Sequence, residues 1–385
     1  MSFPLWKIKR ELARPLHQLR QLPARLTSLF FSQSYYDRVL APKKRVTIGA
    51  QPATGKYAVY LMFPQSGLLA SHREALRYLS VNGYAPVVVS NLPLTEADRA
   101  AVLESATLLI ERPNYGYDFG GYRDGVLEIA SRYQDVSRLV LLNDSAWFPL
   151  PGSTNWLMAA EALNRDFVGA ATNFGHARVD PERFCEIRWN YCCANRNFHY
   201  CSFALMISGT LFSEPGFQRF WKGFPLTNNK TVTVRRGEIG LTQWVIRNGY
   251  SHGSTLEVAD LDAKLATFST EELHRLAAAT IIPEMARMKE VKAKTLAGTP
   301  SREELIALIL TSIARQGISY TQPGLVHETY GFAFLKKSPL WLDEEASDLT
   351  LSFTKSLHGD FGTTIEAEAK ALRRARGARF APLAD

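Results

Sequence analysis

The residues best suited to chemistry fall within 112–145, in the stretch RPNYGYDFGGYRDGVLEIASRYQDVSRLVLLNDS. A polar loop presents Asn114, Asp118, Arg123 and Asp124 around Gly116, Gly120 and Gly121. Glycines let a backbone approach a ligand closely or take a positive φ. Further on, an apolar run ends on Asn143-Asp144-Ser145. In an open α/β sheet, ligands collect outside the carboxyl ends of the strands. Two such ends, each with a carboxylate and small polar neighbours, predict a crevice for a polar, anionic ligand assisted by a cation. Hard divalent cations take oxygen ligands, often one or two carboxylates completed by substrate phosphates. Asp144 is therefore the candidate ligand for Mg2+ or Mn2+. The structural alternative for Asp144 is an Asx-type turn on nearby backbone N–H groups. For Asp118 it is capping of a helix that begins near Gly121.

A second group lies downstream. Glu238 opens a helix predicted over 238–248, where the macrodipole favours an ionised carboxylate. A carboxylate kept deprotonated suits a general base that takes a proton from an acceptor hydroxyl; ordinary capping is the alternative. Arg235 and Arg236, just upstream, could steady a diphosphate or be solvated. His199 begins a strand predicted to line the cleft, as an acceptor contact or as a satisfied core histidine. Cys185, Cys192, Cys193 and Cys201 lie near His176 and His199. Their spacing does not match paired CxxC knuckles, and buried thiols are the better reading.

These groups need a scaffold. From Lys56 the pattern alternates between strands and helices: strands over 57–63, 85–90, 107–111 and 138–142, helices over 69–81 and 95–105. Asn82-Gly83 closes the first helix and Thr95 is the expected N-cap of the second. Repeated βα units imply an α/β fold with a mostly parallel sheet flanked by helices. Further strands are expected over 166–171 and 200–208, with helices over 153–163 and 213–223. After Asp262 the chain reads as helical, over 271–287, 302–316 and a basic tail at 365–379. The expected division is a basic amphipathic extension over 1–45, a nucleotide-binding α/β domain over 46–262, and a helical C-terminal region over 263–385.

The first strand ends in Pro64-Gln65-Ser66-Gly67, without the spaced glycines of a dinucleotide fingerprint, and no GxxxxGK[ST] loop occurs. That argues against a nicotinamide dehydrogenase and a P-loop enzyme, and fits a nucleotide held by side chains and strand ends. With 46% hydrophobic and 21% charged residues the chain is an ordinary globular one, and its net charge of +8 favours an anionic partner. Nucleic acid is not that partner, because the basic residues are terminal and not interleaved with stacking aromatics. No apolar run is long enough to span a bilayer. With free thiols and no secretory signal, a cytoplasmic setting is expected. Leu5, Ile8, Leu12, Leu16 and Leu19 recur at helical spacing among Lys7, Lys9, Arg10 and Arg14. Such a basic amphipathic segment suits an anionic membrane surface; packing on the protein body is the alternative.

The blocks YAVYLMF, APVVVSN, NYGYDFGGYRDG and LVLLNDSAWFPL, then HYCSFALMIS, EIGLTQWVIRNGY and HETYGFAFLKK, resemble the rhamnan synthesis protein F family in order and spacing. The resemblance covers residues 56–342. It implies a bacterial glycosyltransferase with a GT-A-like, Rossmann-type fold. Such an enzyme would move a deoxysugar, rhamnose, from a dTDP-, GDP- or UDP-linked donor to a lipid-linked glycan at the inner face of the plasma membrane. The product would be a cell-surface polysaccharide of O-antigen or rhamnan type. The resemblance implies that Asp144 takes the place of the metal- or diphosphate-binding acid. It puts Asn114 and Asp118 at the nucleotide side; Arg123, Asn143 and Ser145, read from the polar loop and strand tip themselves, complete the expected donor-binding set. Glu238 looks like the base on the acceptor helix of inverting enzymes. Two positions depart from the family pattern: Phe148 precedes Pro149 where glycine is usual, and Cys201 stands where glutamine is usual. The competing reading is a non-catalytic scaffold of polysaccharide assembly at the membrane surface.

Overall fold

The run KYAVYLM is apolar on both faces, which suits a strand buried between two layers. In the computed structural model, which describes residues 32–377 and 379–380, that run is an inner strand of an eight-stranded sheet. Along the chain the strands are β1 (Arg45–Ile48), β2 (Lys56–Met62), β3 (Ala85–Ser90), β4 (Leu108–Glu111), β5 (Arg138–Asn143), β6 (Ala146–Trp147), β7 (Phe167–Gly169), β8 (Thr172–Asn173), β9 (His199–Tyr200), β10 (Ala204–Ser208), β11 (His252–Ser254) and β12 (Leu335–Lys336). The main sheet runs β1-β4-β3-β2-β5-β10-β7-β11. β4, β3, β2 and β5 are mutually parallel. β10 enters antiparallel between β5 and β7, and β1 closes the far edge antiparallel to β4. The protein is thus α/β, a mostly parallel sheet flanked by helices with a helical C-terminal part, as expected from the βα alternation.

Side chains alternate along a strand, so β2 feeds two cores. Ala58, Tyr60 and Met62 face one layer, with α1 (Ala70–Val81) and the C-terminal helices against them. Tyr57, Val59 and Leu61 face the other, with Phe119, Tyr122 and Trp221. Thr95 caps α2 (Glu96–Ser105), its hydroxyl accepting from the Asp98 N–H. α3 (Tyr117–Arg132) starts before the expected Gly121, because Gly116 adopts φ 86° at its N-cap. Glycine also brings α3 onto the sheet: a Cβ at Gly121 would lie 2.4 Å from Leu61 Cδ1.

Several expected elements differ. The strand predicted over 200–208 is two pieces, β9 pairing with β8 outside the main sheet and β10 inside it. The helix predicted over 271–287 breaks into Thr270–Ala278 and Ala286–Ala297, with Pro283 and the positive φ of Glu284 between them. The helix predicted over 238–248 begins earlier. It runs as α4 (Lys230–Val234), a π-helical turn over Arg235–Ile239, and α5 (Gly240–Arg247). Next along the chain, α6 (Arg302–Gln316) agrees with its expected bounds. The basic tail is α7 (Gly359–Arg376). Its Ile365 and Ala369 pack with Trp147, Leu340 and Leu351, so this helix lays its apolar face on the protein.

The amphipathic pattern of residues 1–31 lies outside the described residues. The segment after it is tied down by Tyr36, fully buried and hydrogen-bonded to Asp124. Cys185 and Cys192 are exposed, contrary to the expectation of buried thiols, while Cys193 and Cys201 are half-buried. The interior of that loop is filled instead by His176 stacked on Trp189 at 3.5 Å. Among the described residues no helix is long and apolar enough to cross a membrane.

Candidate functional site

β5 delivers Asn143 and Asp144 to the end of the sheet, and alternation sends them to opposite sides. On one side, Asn143 Nδ2 donates to Asp118 Oδ2 at 3.1 Å and to the Tyr122 hydroxyl at 3.1 Å. The Tyr122 hydroxyl in turn donates to the Ser202 carbonyl at 2.7 Å. Ser145 donates to Asn143 Oδ1 through both its amide and its hydroxyl. Lys336 Nζ donates to Ser145 Oγ at 2.9 Å. Burial, reinforced by the charges of Glu238 and Asp144, pushes the Asp118 carboxyl up to about 6, against the pull of Lys336 and Lys230.

Glu238 joins this side from the π-helical turn. Its Oε1 accepts from Ser202 Oγ at 2.6 Å and its Oε2 stands 3.4 Å from His199 Nε2. The other nitrogen of His199 lies 2.7 Å from the Asn197 carbonyl. A carbonyl only accepts, so Nδ1 carries a proton and Nε2 is the nitrogen turned to Glu238. The dipole argument for Glu238 does not hold, because it sits inside a continuous helical run and not in a first turn. Its surroundings come from Ser202 and His199 instead. π-turns of this kind recur at functional sites. Cys201, at the same cleft, has its thiol pushed up to about 12 by burial and by Glu238.

On the other side, Asp144 Oδ2 accepts from the Phe63 N–H at 2.8 Å and lies 3.4 Å from His72 Nε2. His72 Nδ1 accepts from the Leu69 N–H at 3.1 Å, which puts the ring proton on Nε2, facing Asp144. Burial raises the Asp144 carboxyl, but His72, Lys337 and the Phe63 amide outweigh it and hold it below the usual aspartate value. Both contacts use Oδ2, leaving Oδ1 for a ligand. Among the described residues no group of three or more His, Cys, Asp or Glu is gathered to hold a metal. One free carboxylate oxygen fits a cation shared with a substrate phosphate and does not fit a closed structural site.

The expected residues thus divide. Asp118, Asn143, Ser145, Glu238 and His199 meet in one cluster, with Asp144 beside it. Arg123 does not join them, and its proposed donor contact is corrected: its guanidinium bonds Asp37 and the carbonyls of Trp221 and Lys222. Arg236 is turned to the Pro225 carbonyl at 3.2 Å. Arg235 and Asn114 are exposed. Asp124 is committed to Arg112, at 2.6 Å from its Nε.

Lys336 and Lys337 are absent from the expected set, as are Tyr122, Ser202 and His72. β12 pairs antiparallel with β6, which brings both lysines to the tip of β5. The sole trace of this in the sequence is the LKK that ends the block HETYGFAFLKK.

Comparison with known proteins places these features in context. Among solved structures, core-mannan synthase A (CmsA/Ktr4) from Aspergillus fumigatus, in its Mn/GDP form, is 9% identical with a TM-score of 0.27, covering 51% of this chain and 71% of that one. The mannosyltransferase Ktr4p from S. cerevisiae is 8% identical with a TM-score of 0.24, covering 52% and 66%. An uncharacterized protein, y4gN, of Sinorhizobium fredii is 32% identical over 240 residues, which are 62% of this chain and 57% of that relative's length. The model of the rhamnan synthesis protein F family matches residues 86–330, which span β3 to the segment just before β12, and the chain belongs to that family.

Proposed function

We propose that the protein is a nucleotide-sugar-dependent glycosyltransferase that moves a deoxysugar, rhamnose, onto a hydroxyl of a growing cell-surface polysaccharide. The observation that carries this reading is the meeting of Glu238 with the Asn143–Asp118 pair at the carboxyl ends of the strands. Membership in a family described by rhamnan synthesis supports it.

In this reading Glu238 takes the proton of the acceptor hydroxyl. The oxygen forms its bond to the anomeric carbon as the bond from that carbon to the diphosphate oxygen breaks. The proton then passes from Glu238 to solvent, which clears the base for the next turnover, and His199 Nε2, 3.4 Å from the carboxylate, helps to orient it. Ser202 holds the Glu238 carboxylate in orientation through its 2.6 Å hydrogen bond. The nucleoside diphosphate leaves with the pair of electrons, and Lys336 and Lys337 offset its charge. A divalent cation, when bound at Asp144 and the phosphates, would add to that neutralisation. A dTDP-, GDP- or UDP-linked donor, a lipid-linked glycan acceptor and a location at the inner membrane surface belong to the same proposal.

The test is release of nucleoside diphosphate from a panel of dTDP-, GDP- and UDP-sugars, with and without Mg2+ or Mn2+. One donor should turn over, and Glu238→Gln should lower its turnover by roughly 10²–10⁴-fold, the usual worth of a general base. Turnover of no donor would favour the scaffold reading, and full turnover by Glu238→Gln would remove Glu238 as the base.

A further inference from the structure

A cavity of about 390 Å3 opens on the Asp144 side of the β5 tip, within the range of roughly 300–1,000 Å3 typical of small-molecule pockets. Its walls come from the loop after β2, from Asp144 and Ser145, from the segment after β12 and from α7. Only Asp144 and Ser145 of these lie within the family-matched residues 86–330.

The cavity has a mixed lining. Leu69, Trp341, Leu372 and neighbouring alanines are its apolar part. Beside them stand four charged groups: Asp144, Glu368, Lys337 and Arg376. The carboxylates already have donors. Glu368 accepts from the Ser71 N–H at 2.9 Å and from Trp147 Nε1 at 2.8 Å, and Asp144 is held by Phe63 and His72 as described.

Lys337 differs from them. It is 6% exposed, and among the described residues its ammonium makes no hydrogen bond or ion pair. It has only the face of Trp147, 5.1 Å away, and the fields of Asp144 and Glu368. With no protein acceptor, this ammonium can be satisfied only by what enters the cavity that Lys337 lines, which points to an anion that completes it. Arg376, bonded to Gln65 and stacked over Trp341 at 4.5 Å, adds a second cation at the rim.

We propose that this cavity seats the donor's nucleoside diphosphate, with Lys337 and Arg376 on the diphosphate and Leu69, Trp341 and Leu372 against the nucleoside. The proposal rests on the glycosyltransferase reading and deepens it. The C-terminal helix α7, beyond the family-matched segment, then forms part of the donor site and bears on which nucleotide is accepted.

Calorimetric titration of the full chain with UDP, GDP and dTDP, in EDTA and again in Mn2+, tests this. The variants are Lys337→Met, Arg376→Ala and Leu372→Trp, which fills the cavity without removing a charge. One nucleotide should bind the wild type. Lys337→Met and Leu372→Trp should weaken it by roughly ten- to a hundredfold, the range for loss of a charge-assisted contact, with melting temperatures unchanged. Should Lys337→Met fail to fold, Leu372→Trp and the exposed Arg376→Ala decide. Unchanged affinity in the folded variants overturns the cavity assignment and leaves the glycosyltransferase reading standing. Absence of binding to the wild type in both buffers overturns both.

Discussion

Asn143 and Asp144 are neighbours in the chain whose side chains serve separate compartments, Asn143 donating to Asp118 at 3.1 Å and Asp144 accepting from the Phe63 amide at 2.8 Å. The consequence is electrostatic. Asp118 is pushed up to about 6 while Asp144 is held below the ordinary aspartate value. Two carboxylates pushed apart in this way can take different roles in one site.

Asp118 costs the fold stability when ionised. Its native pKa lies above the unfolded one, so the stabilisation it gives is complete below pH 3.8 and lost as pH rises through about 6. Asp118→Asn should raise stability at pH 7.5 by on the order of 2 kcal/mol, and the gain should vanish near pH 4. Urea denaturation at the two pH values measures this. An equal effect at both would show that Asp118 is ionised throughout.

Asp144 has the opposite sign. Its depressed pKa stabilises the fold above the unfolded value, and that contribution is lost as pH falls through the native one. Asp144→Asn keeps an acceptor for the Phe63 amide but removes the charge facing His72 and Lys337. It should cost about 1–3 kcal/mol at pH 7.5 and progressively less in acid. Thermal melts across the acid range would show whether the gap closes.

Gly237 sets the distance between Glu238 and α3. A Cβ there would lie 2.4 Å from Phe119 Cδ2, in a ring that is 1% exposed. Gly237→Ala should cost about 1–3 kcal/mol by overpacking and lower kcat more than donor affinity, since Glu238 is displaced while the Asp144 side is untouched. Steady-state kinetics that change only KM would contradict this.

The arginines of the loop are structural. Arg112 donates to Asp124 at 2.6 Å and Asn91 at 2.6 Å, both out of water, and to the Tyr115 carbonyl at 2.7 Å. Arg112→Ala would leave Asp124 buried without its cation and should cost about 3–5 kcal/mol. Arg123→Ala should lower stability through Asp37 and the Trp221 carbonyl and leave nucleotide affinity unchanged. Titration of that variant alongside the wild type checks the second half.

What the sequence determined by itself is what local pattern encodes. The apolar runs of β2, β3 and β5, the Thr95 cap and α6 all follow from periodicity and capping chemistry within a few residues. The Asn143-Asp144-Ser145 tip follows from where an apolar strand stops. The absence of glycine fingerprints is equally local. The tertiary structure alone decided which polar groups meet. Lys336 reaches Ser145 across 191 residues of chain, through the pairing of β12 with β6. Glu238 owes its partners to the break between β9 and β10 and to a π-turn, not to a helix end. Arg123 looked like a ligand contact because its loop is polar and glycine-rich, but its side chain reaches Asp37, 86 residues earlier. Such contacts depend on sheet register and on which face of a helix is buried. Neither leaves a mark in the spacing of neighbouring residues.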